Sequence, residues 1–203
     1  MANSRRGRQK AGAPGPGRLR IVAGKWRSRV LPVAGIDGLR PTSGRVRETL
    51  FNWLAPHIEG ARCIDLCAGT GALGFEALSR GARSVDLVEN APAAVRMLEH
   101  SRDALGAATA RIHPADAVSW LASRAPWPAD IVFLDPPYRD ALLPEMCRLL
   151  QDRGWLAPGA LVYLEQDRQL PLDYLPAAWR VARDKTAGNV RYLLLTPAGP
   201  AEA

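Results

Sequence analysis

Residues 65–74 read DLCAGTGALG, ten residues in which three glycines follow a short apolar run and precede a helix-like segment. Gly69, Gly71 and Gly74 are spaced as in the dinucleotide fingerprint, where the missing Cβ atoms let backbone amides approach a ligand closely. Glu89, at the end of the next apolar run and followed by Asn90, is a suitably placed acid for ribose hydroxyls. Taken alone, this spacing leaves NAD and other adenosine cofactors equally open.

Outward from the loop, short apolar runs (Cys63–Leu66, Val85–Val88, Ala110–Ile112, Ile131–Leu134, Ala160–Leu164) alternate with helix-like segments (Leu73–Arg80, Ala91–Leu105, Ala117–Ser123, Leu142–Asp152). That rhythm predicts an α/β fold built on an open, mostly parallel sheet. Trp179–Arg183 and Val190–Thr196 read as a hairpin that closes the sheet antiparallel. Upstream, RIVAGKWRSRVL (Arg20–Leu31) mixes apolar and basic residues and breaks at Gly24, which predicts a strand pair. Leu39–Ser43 reads as a turn in which Thr42 or Ser43 caps a helix running to Leu54, with Val46, Leu50, Trp53 and Leu54 as its apolar face.

The chain has 203 residues, 47% of them apolar and 23% charged, enough for one globular core. Its net charge of +7 is unevenly placed: residues 1–30 hold nine Lys or Arg and no acid, leaving 18 basic against 20 acidic residues in the remainder. A polyanionic partner met by the N-terminal end fits that asymmetry. Residues 1–17, rich in Arg, Gly, Pro and Ala, carry no apolar run and are expected to be disordered. No stretch has the length of a membrane span, and no secretory core follows the basic start. Cys63, Cys67 and Cys147 lack the partners of a zinc site and read as reduced thiols, which points to the cytoplasm.

Three acids weigh on the choice of cofactor. Asp65 stands at the carboxyl end of its strand, Asp116 precedes Ala117 after the third strand, and Asp135 ends the fourth. With Glu89 they would ring one crevice, an environment hostile to a pyrophosphate and favourable to the sulfonium and ammonium of S-adenosylmethionine. Asp65 would face the amino-acid portion and Asp116 the adenine amine, with helix capping as the competing role for Asp116.

IVFLDPPY (Ile131–Tyr138) then acquires a purpose. Pro136 and Pro137 end the strand in a stiff loop without N–H donors. An exocyclic amine needs acceptors for its hydrogens and a fixed direction of attack. The Asp135 carboxylate and the Pro136 carbonyl can supply the acceptors, and Tyr138 a face for an extruded base.

The Asp65–Gly71 loop and Asp135-Pro136-Pro137-Tyr138 resemble class I, Rossmann-like methyltransferases acting on planar exocyclic amines. With RIVAGKWRSRVL, Leu39-Arg40-Pro41-Thr42, Val46–Leu54, Gly71–Arg80 and Gly154-Trp155-Leu156, the chain is similar to the bacterial 16S ribosomal RNA guanine-N2 methyltransferase family, the one named for guanine 966 of the small subunit. The resemblance covers residues 19–196. It implies a seven-stranded, mostly parallel sheet and S-adenosylmethionine as cofactor. The cofactor would be held by Asp65, Ala68, Gly69, Gly71, Glu89, Asn90, Asp116 and Ala117, with Arg47 helping to close the pocket. It also implies Asp135, Pro136 and Tyr138 as the amine clamp, no metal, and 16S rRNA within an assembled or assembling 30S subunit as substrate. Ala68 stands where many methyltransferases carry the first glycine of the loop.

On this reading residues 1–17 are a basic tail, 18–55 an extension for RNA binding or cofactor covering, 56–197 the methyltransferase domain and 198–203 a loose end. Arg20, Lys25, Arg27 and Arg29 would meet RNA phosphates, as Arg45 and Arg47 would if they do not cover the cofactor. Adenine-N6 methylation, methylation of a protein glutamine, and a non-catalytic RNA-binding or assembly factor are the competing functions.

Overall fold

A computed structural model of the protein describes residues 18–32, 44–137 and 142–198. The tail at 1–17, the turn and cap at 39–43, Tyr138 and residues 199–203 lie outside the described residues.

Strands β1 (Arg18–Arg20) and β2 (Val30–Pro32) pair antiparallel, Leu19 opposite Leu31, and helix α1 (Gly44–Leu54) follows them in the chain. Then come β3 (Arg62–Leu66), α2 (Ala72–Ser79), β4 (Ser84–Glu89), α3 (Pro92–Leu105), β5 (Ala110–Pro114), α4 (Ala117–Ser123), β6 (Ala129–Leu134) and α5 (Leu143–Asp152). The chain closes with β7 (Leu156–Asp167), β8 (Trp179–Ala187) and β9 (Val190–Pro197). The seven-stranded sheet has the order β5-β4-β3-β6-β7-β9-β8. β5 to β7 are parallel, while β9 runs antiparallel to both β7 and β8. The strand order reverses between β3 and β6, the place where open α/β sheets bind ligands at their carboxyl ends.

Alternation along the strands divides the core. Cys63, Ile131, Phe133, Leu161 and Tyr163 enter one apolar cluster, and Ile64, Val132, Leu134, Val162 and Leu164 the other. α4 and α5 cover the second face through Trp120, Leu121, Met146 and Leu150. α1, α2 and α3 cover the first, together with Leu19, Ile21, Trp26 and Leu31 of the N-terminal segment.

The sequence of α2 explains this last layer. ALGFEALS is buried at every position, so its outer side needs a cover besides the sheet. The segment between β1 and β2 provides it. Lys25 N donates to Ser79 O at 2.6 Å, Trp26 N to Ser79 Oγ at 2.9 Å, and Ser79 Oγ to Ala23 O at 2.6 Å. Gly24 (φ +81°) comes so close that a Cβ there would lie 1.8 Å from Ser79 O.

Glu76, the one charge in α2, is fully buried and accepts from Val22 N (2.8 Å), Ala23 N (3.0 Å) and Arg80 Nε (2.8 Å). Arg47 lies 3.7 Å from the same carboxylate and donates from Nη1 to Arg20 O at 3.1 Å. Burial pulls the Arg47 guanidinium below its ordinary pKa, and Glu76 partly restores it. With only 5% of its surface exposed, Arg47 is not available to RNA phosphates, in contrast to the expectation offered for it beside Arg45. No helix among the described residues is long and apolar enough to cross a membrane.

Candidate active site

Strand register sets the geometry. Leu66 pairs with Val88 and with Leu134, and Glu89 with Pro114, so the residues that follow β3, β4, β5 and β6 emerge at one edge of the sheet. Asp65, Cys67, Glu89, Asp116 and Asp135 converge there. The position of Cys67 shows it most directly: burial pushes its thiol up to about 12, and the charges of Glu89, Asp65, Asp135 and Asp116 all add to the shift. Cys67 also sits at φ +62°, an uncommon conformation for a residue with a side chain, in the turn that carries β3 into the glycine loop.

The loop is held from both sides. Ala68 N donates to Val88 O at 2.9 Å, and Gly69 N to Glu89 Oε2 at 2.8 Å. The other oxygen of Glu89 accepts from Ala91 N at 2.8 Å, which leaves each carboxylate oxygen a further lone pair for a hydroxyl. Gly71 (φ +73°) opens α2, and a Cβ there would fall 2.5 Å from the Phe75 ring and 2.7 Å from Leu98 Cδ2.

Asp65 is 2% exposed and accepts from Gly74 N at 2.9 Å. Burial raises its carboxyl to about 8 against the pull of the Gly74 N–H, and the charges of Asp135 and Glu89 raise it further. A buried acid among acids is stabilised in its ionised form by a cation, so this donor set fits a ligand carrying an ammonium or sulfonium. Asp116 caps α4, its Oδ1 accepting from Ser119 N at 2.8 Å, so the competing role is realised. Ala117 is buried in the first turn of α4 and Asn90 is exposed after β4. Asp135 is half-buried, Pro136 buried and Pro137 exposed.

Arg20, Lys25, Arg27, Arg29 and Arg45 are exposed, as their proposed contact with phosphates requires. Arg47 is joined to Arg20 of the N-terminal segment and to Glu76 of α2. Cys63, Cys67 and Cys147 are free thiols. No group of three or more His, Cys, Asp or Glu residues among the described residues is arranged to hold a metal ion. Sequence reasoning does not single out Glu76 as an organising residue, although a lone carboxylate within an otherwise apolar helix is a signal in its own right.

Sheet order, glycine loop and acids at the reversal point together define a class I, Rossmann-like methyltransferase fold. The match to known proteins narrows it further. The family described as Conserved hypothetical protein 95 matches residues 19–196. The ribosomal RNA small subunit methyltransferase D of Escherichia coli (strain K12) is 48% identical over 186 residues, covering 92% of this chain and 93% of that protein. The solved structure of yhhF from Escherichia coli is 45% identical with a TM-score of 0.83, covering 91% of this chain and all (100%) of that one. At the level of fold alone, SMU.776 complexed with SAH superposes with a TM-score of 0.68 at 15% identity, over 93% of this chain and 57% of that one. The chain belongs to the ribosomal RNA small subunit methyltransferase D family.

Proposed function

We propose that this protein transfers a methyl group from S-adenosylmethionine to the exocyclic N2 of a guanine in 16S rRNA. The observation that carries the reading is the convergence of Asp65, Glu89, Asp116 and Asp135 at the carboxyl end of the sheet, where Asp65 and Glu89 bind the backbone of the glycine loop. When bound there, S-adenosylmethionine supplies an electrophilic methyl group on a positively charged sulfur. Asp65 faces the cationic amino-acid portion, Glu89 and Asn90 the ribose, Asp116 and Ala117 the adenine, and Ala68, Gly69 and Gly71 line the approach with backbone.

Asp135 and the carbonyl of Pro136 accept the two N2 hydrogens and aim the nitrogen lone pair. Tyr138, two residues after Pro136 in the sequence, offers a ring for the extruded base. The proton released from N2 passes to Asp135 or to water. The exposed Arg20, Lys25, Arg27 and Arg29 meet RNA phosphates. A reading surface of this size calls for folded RNA, so the substrate in this reading is the assembled or assembling small subunit, met in the cytoplasm with the ribosomes.

Labelled methyl transfer to protein-free 16S transcript and to assembled subunits, the latter from cells without this gene, tests the reading. Label is expected in RNA, with subunits the better substrate. Label in protein alone overturns the function, and equal transfer to both RNA forms overturns the requirement for a folded subunit.

A further inference from the structure

At the opposite end of the sheet from the acidic crevice lies a second cleft of about 960 Å³. Its lining gathers where strands begin: Arg62 opens β3, Arg83 precedes β4, Trp127 precedes β6, and Arg111 and Arg124 flank them on β5 and after α4. The catalytic reading uses none of these residues. Along β3 and β4 five or six residues, about 17–20 Å, separate the two ends, and Asp86 and His113 carry the lining part of the way along the strands.

The cleft is basic and aromatic together. Among its lining residues four arginines stand against one carboxylate, Asp86, to which Arg111 donates from Nε (3.0 Å) and Nη2 (2.6 Å) and which His113 Nε2 meets at 2.6 Å. Arg62 is paired with Asp130 at 3.3 Å. Arg83 and Arg124 are exposed and have no carboxylate partner among the described residues. Arg153 Nη2 donates to Arg124 O at 3.3 Å, bringing a fifth guanidinium to the rim.

Aromatic rings form the floor. Trp120 stacks on Trp155 with centroids 4.8 Å apart, and Trp127 meets Trp155 edge-on at 6.4 Å. Trp155 is fully buried, its Nε1 donating to Leu121 O at 3.2 Å, so this floor is anchored. Trp127 remains partly exposed with the Arg111 guanidinium 6.0 Å from its ring centre, and Arg124 lies 5.9 Å from that of Trp120. Exposed guanidinium groups beside a partly exposed indole that rests on a buried aromatic floor match a chain of phosphates that carries stackable bases.

We infer that this cleft binds a single-stranded segment of RNA, with Arg83 and Arg124 on its phosphates and a base against Trp127. The choice of RNA rests on the RNA-directed function proposed for the crevice; the charge and the rings do not. It would act as a second hold on the substrate, remote from the methylated base. Its loss weakens capture of the RNA without altering the chemistry.

The test uses the full chain carrying Arg83→Glu with Arg124→Glu, two exposed positions, and separately Trp127→Ala. Binding of a fluorescein-labelled single-stranded oligoribonucleotide is followed by anisotropy across salt concentrations, alongside calorimetric binding of S-adenosylmethionine and steady-state transfer to small subunits. The double variant is expected to bind the oligonucleotide at least ten-fold more weakly, with a salt slope smaller by about 0.7 for each phosphate no longer engaged. KM for subunits should rise while kcat and cofactor affinity hold. Oligonucleotide affinity and salt slope equal to wild type would overturn the inference. So would a raised KM for subunits with oligonucleotide binding intact, since the cleft would then grip ribosomal protein. Trp127→Ala should weaken binding with an unchanged slope, the signature of stacking without charge, and a binding curve identical to wild type contradicts the stacking role. Sensitive oligonucleotide binding without transfer to any RNA would leave the cleft standing and remove the catalytic reading.

Discussion

The fully buried carboxylate of Glu76 accepts the backbone N–H of Val22 at 2.8 Å across 54 residues of sequence. This bond joins the basic N-terminal segment to α2, the helix whose other end is the glycine loop. One helix therefore touches both the basic N-terminal segment and the glycine loop. Glu76→Ala would leave Val22 N, Ala23 N and Arg80 without their acceptor and Arg47 without its ion partner, a loss of about 3–5 kcal/mol by analogy with broken buried pairs. Urea unfolding is expected to show a lower midpoint at unchanged slope.

Gly24→Ala addresses the same joint without changing charge. The new Cβ collides with Ser79 O, and φ of +81° adds about 1–3 kcal/mol of strain. The segment should detach from α2, and tryptophan emission should shift to the red as Trp26 becomes hydrated. An unshifted spectrum with unchanged stability contradicts the docking of this segment on α2.

Asp65 makes cofactor binding depend on pH. Its carboxyl, raised to about 8, is mostly protonated at pH 7, and a cationic ligand binds the ionised form. Affinity for S-adenosylmethionine should therefore climb between pH 6 and 8 and level off above, with proton release on binding seen by calorimetry in buffers of differing ionisation enthalpy. Without ligand the sign for folding is the reverse. Asp65 keeps its proton in the folded state after the unfolded chain has lost it, so stability declines as pH rises from about 4 to about 8. Asp65→Asn should remove that decline, make the free protein more stable at pH 8 by on the order of a few kcal/mol, and weaken cofactor binding there.

Asp135→Ala separates chemistry from binding. Turnover should fall by about 10²–10⁴ or more while cofactor affinity changes little, because the carboxylate is assigned to the amine. A comparable loss of affinity would reassign it to the cofactor.

Much of this architecture is legible locally. Ala117–Ser123 ends where its periodicity ends, and the runs at 63–66, 85–88 and 131–134 lie inside β3, β4 and β6. The glycine loop is legible because its spacing answers to local backbone demands. Features that depend on distant partners are not. Helical spacing puts Trp53 on the apolar face of α1, yet it is only partly buried and stacks on Tyr192 of β9 at 5.6 Å. β7 runs from Leu156 through Pro158 and Gly159, because its first residue pairs with Ala129 across a register shift that no local pattern announces. Arg47 reads as a surface cation in a basic helix, and only the burial of Glu76 explains its place inside. The arginines of the second cleft at 62, 83 and 111 are brought together by parallel strands starting at one edge, and Arg124 joins them from the end of α4.

The most direct measurement is nucleoside analysis of 16S rRNA by mass spectrometry from cells lacking this gene, complemented with the wild-type chain or with Asp135→Ala. The expected result is one N2-methylguanosine absent without the gene, restored by the wild type and not by the variant. An unchanged N2-methylguanosine content with loss of a methyladenosine, or restoration by Asp135→Ala, would contradict the assignment of this crevice to guanine N2.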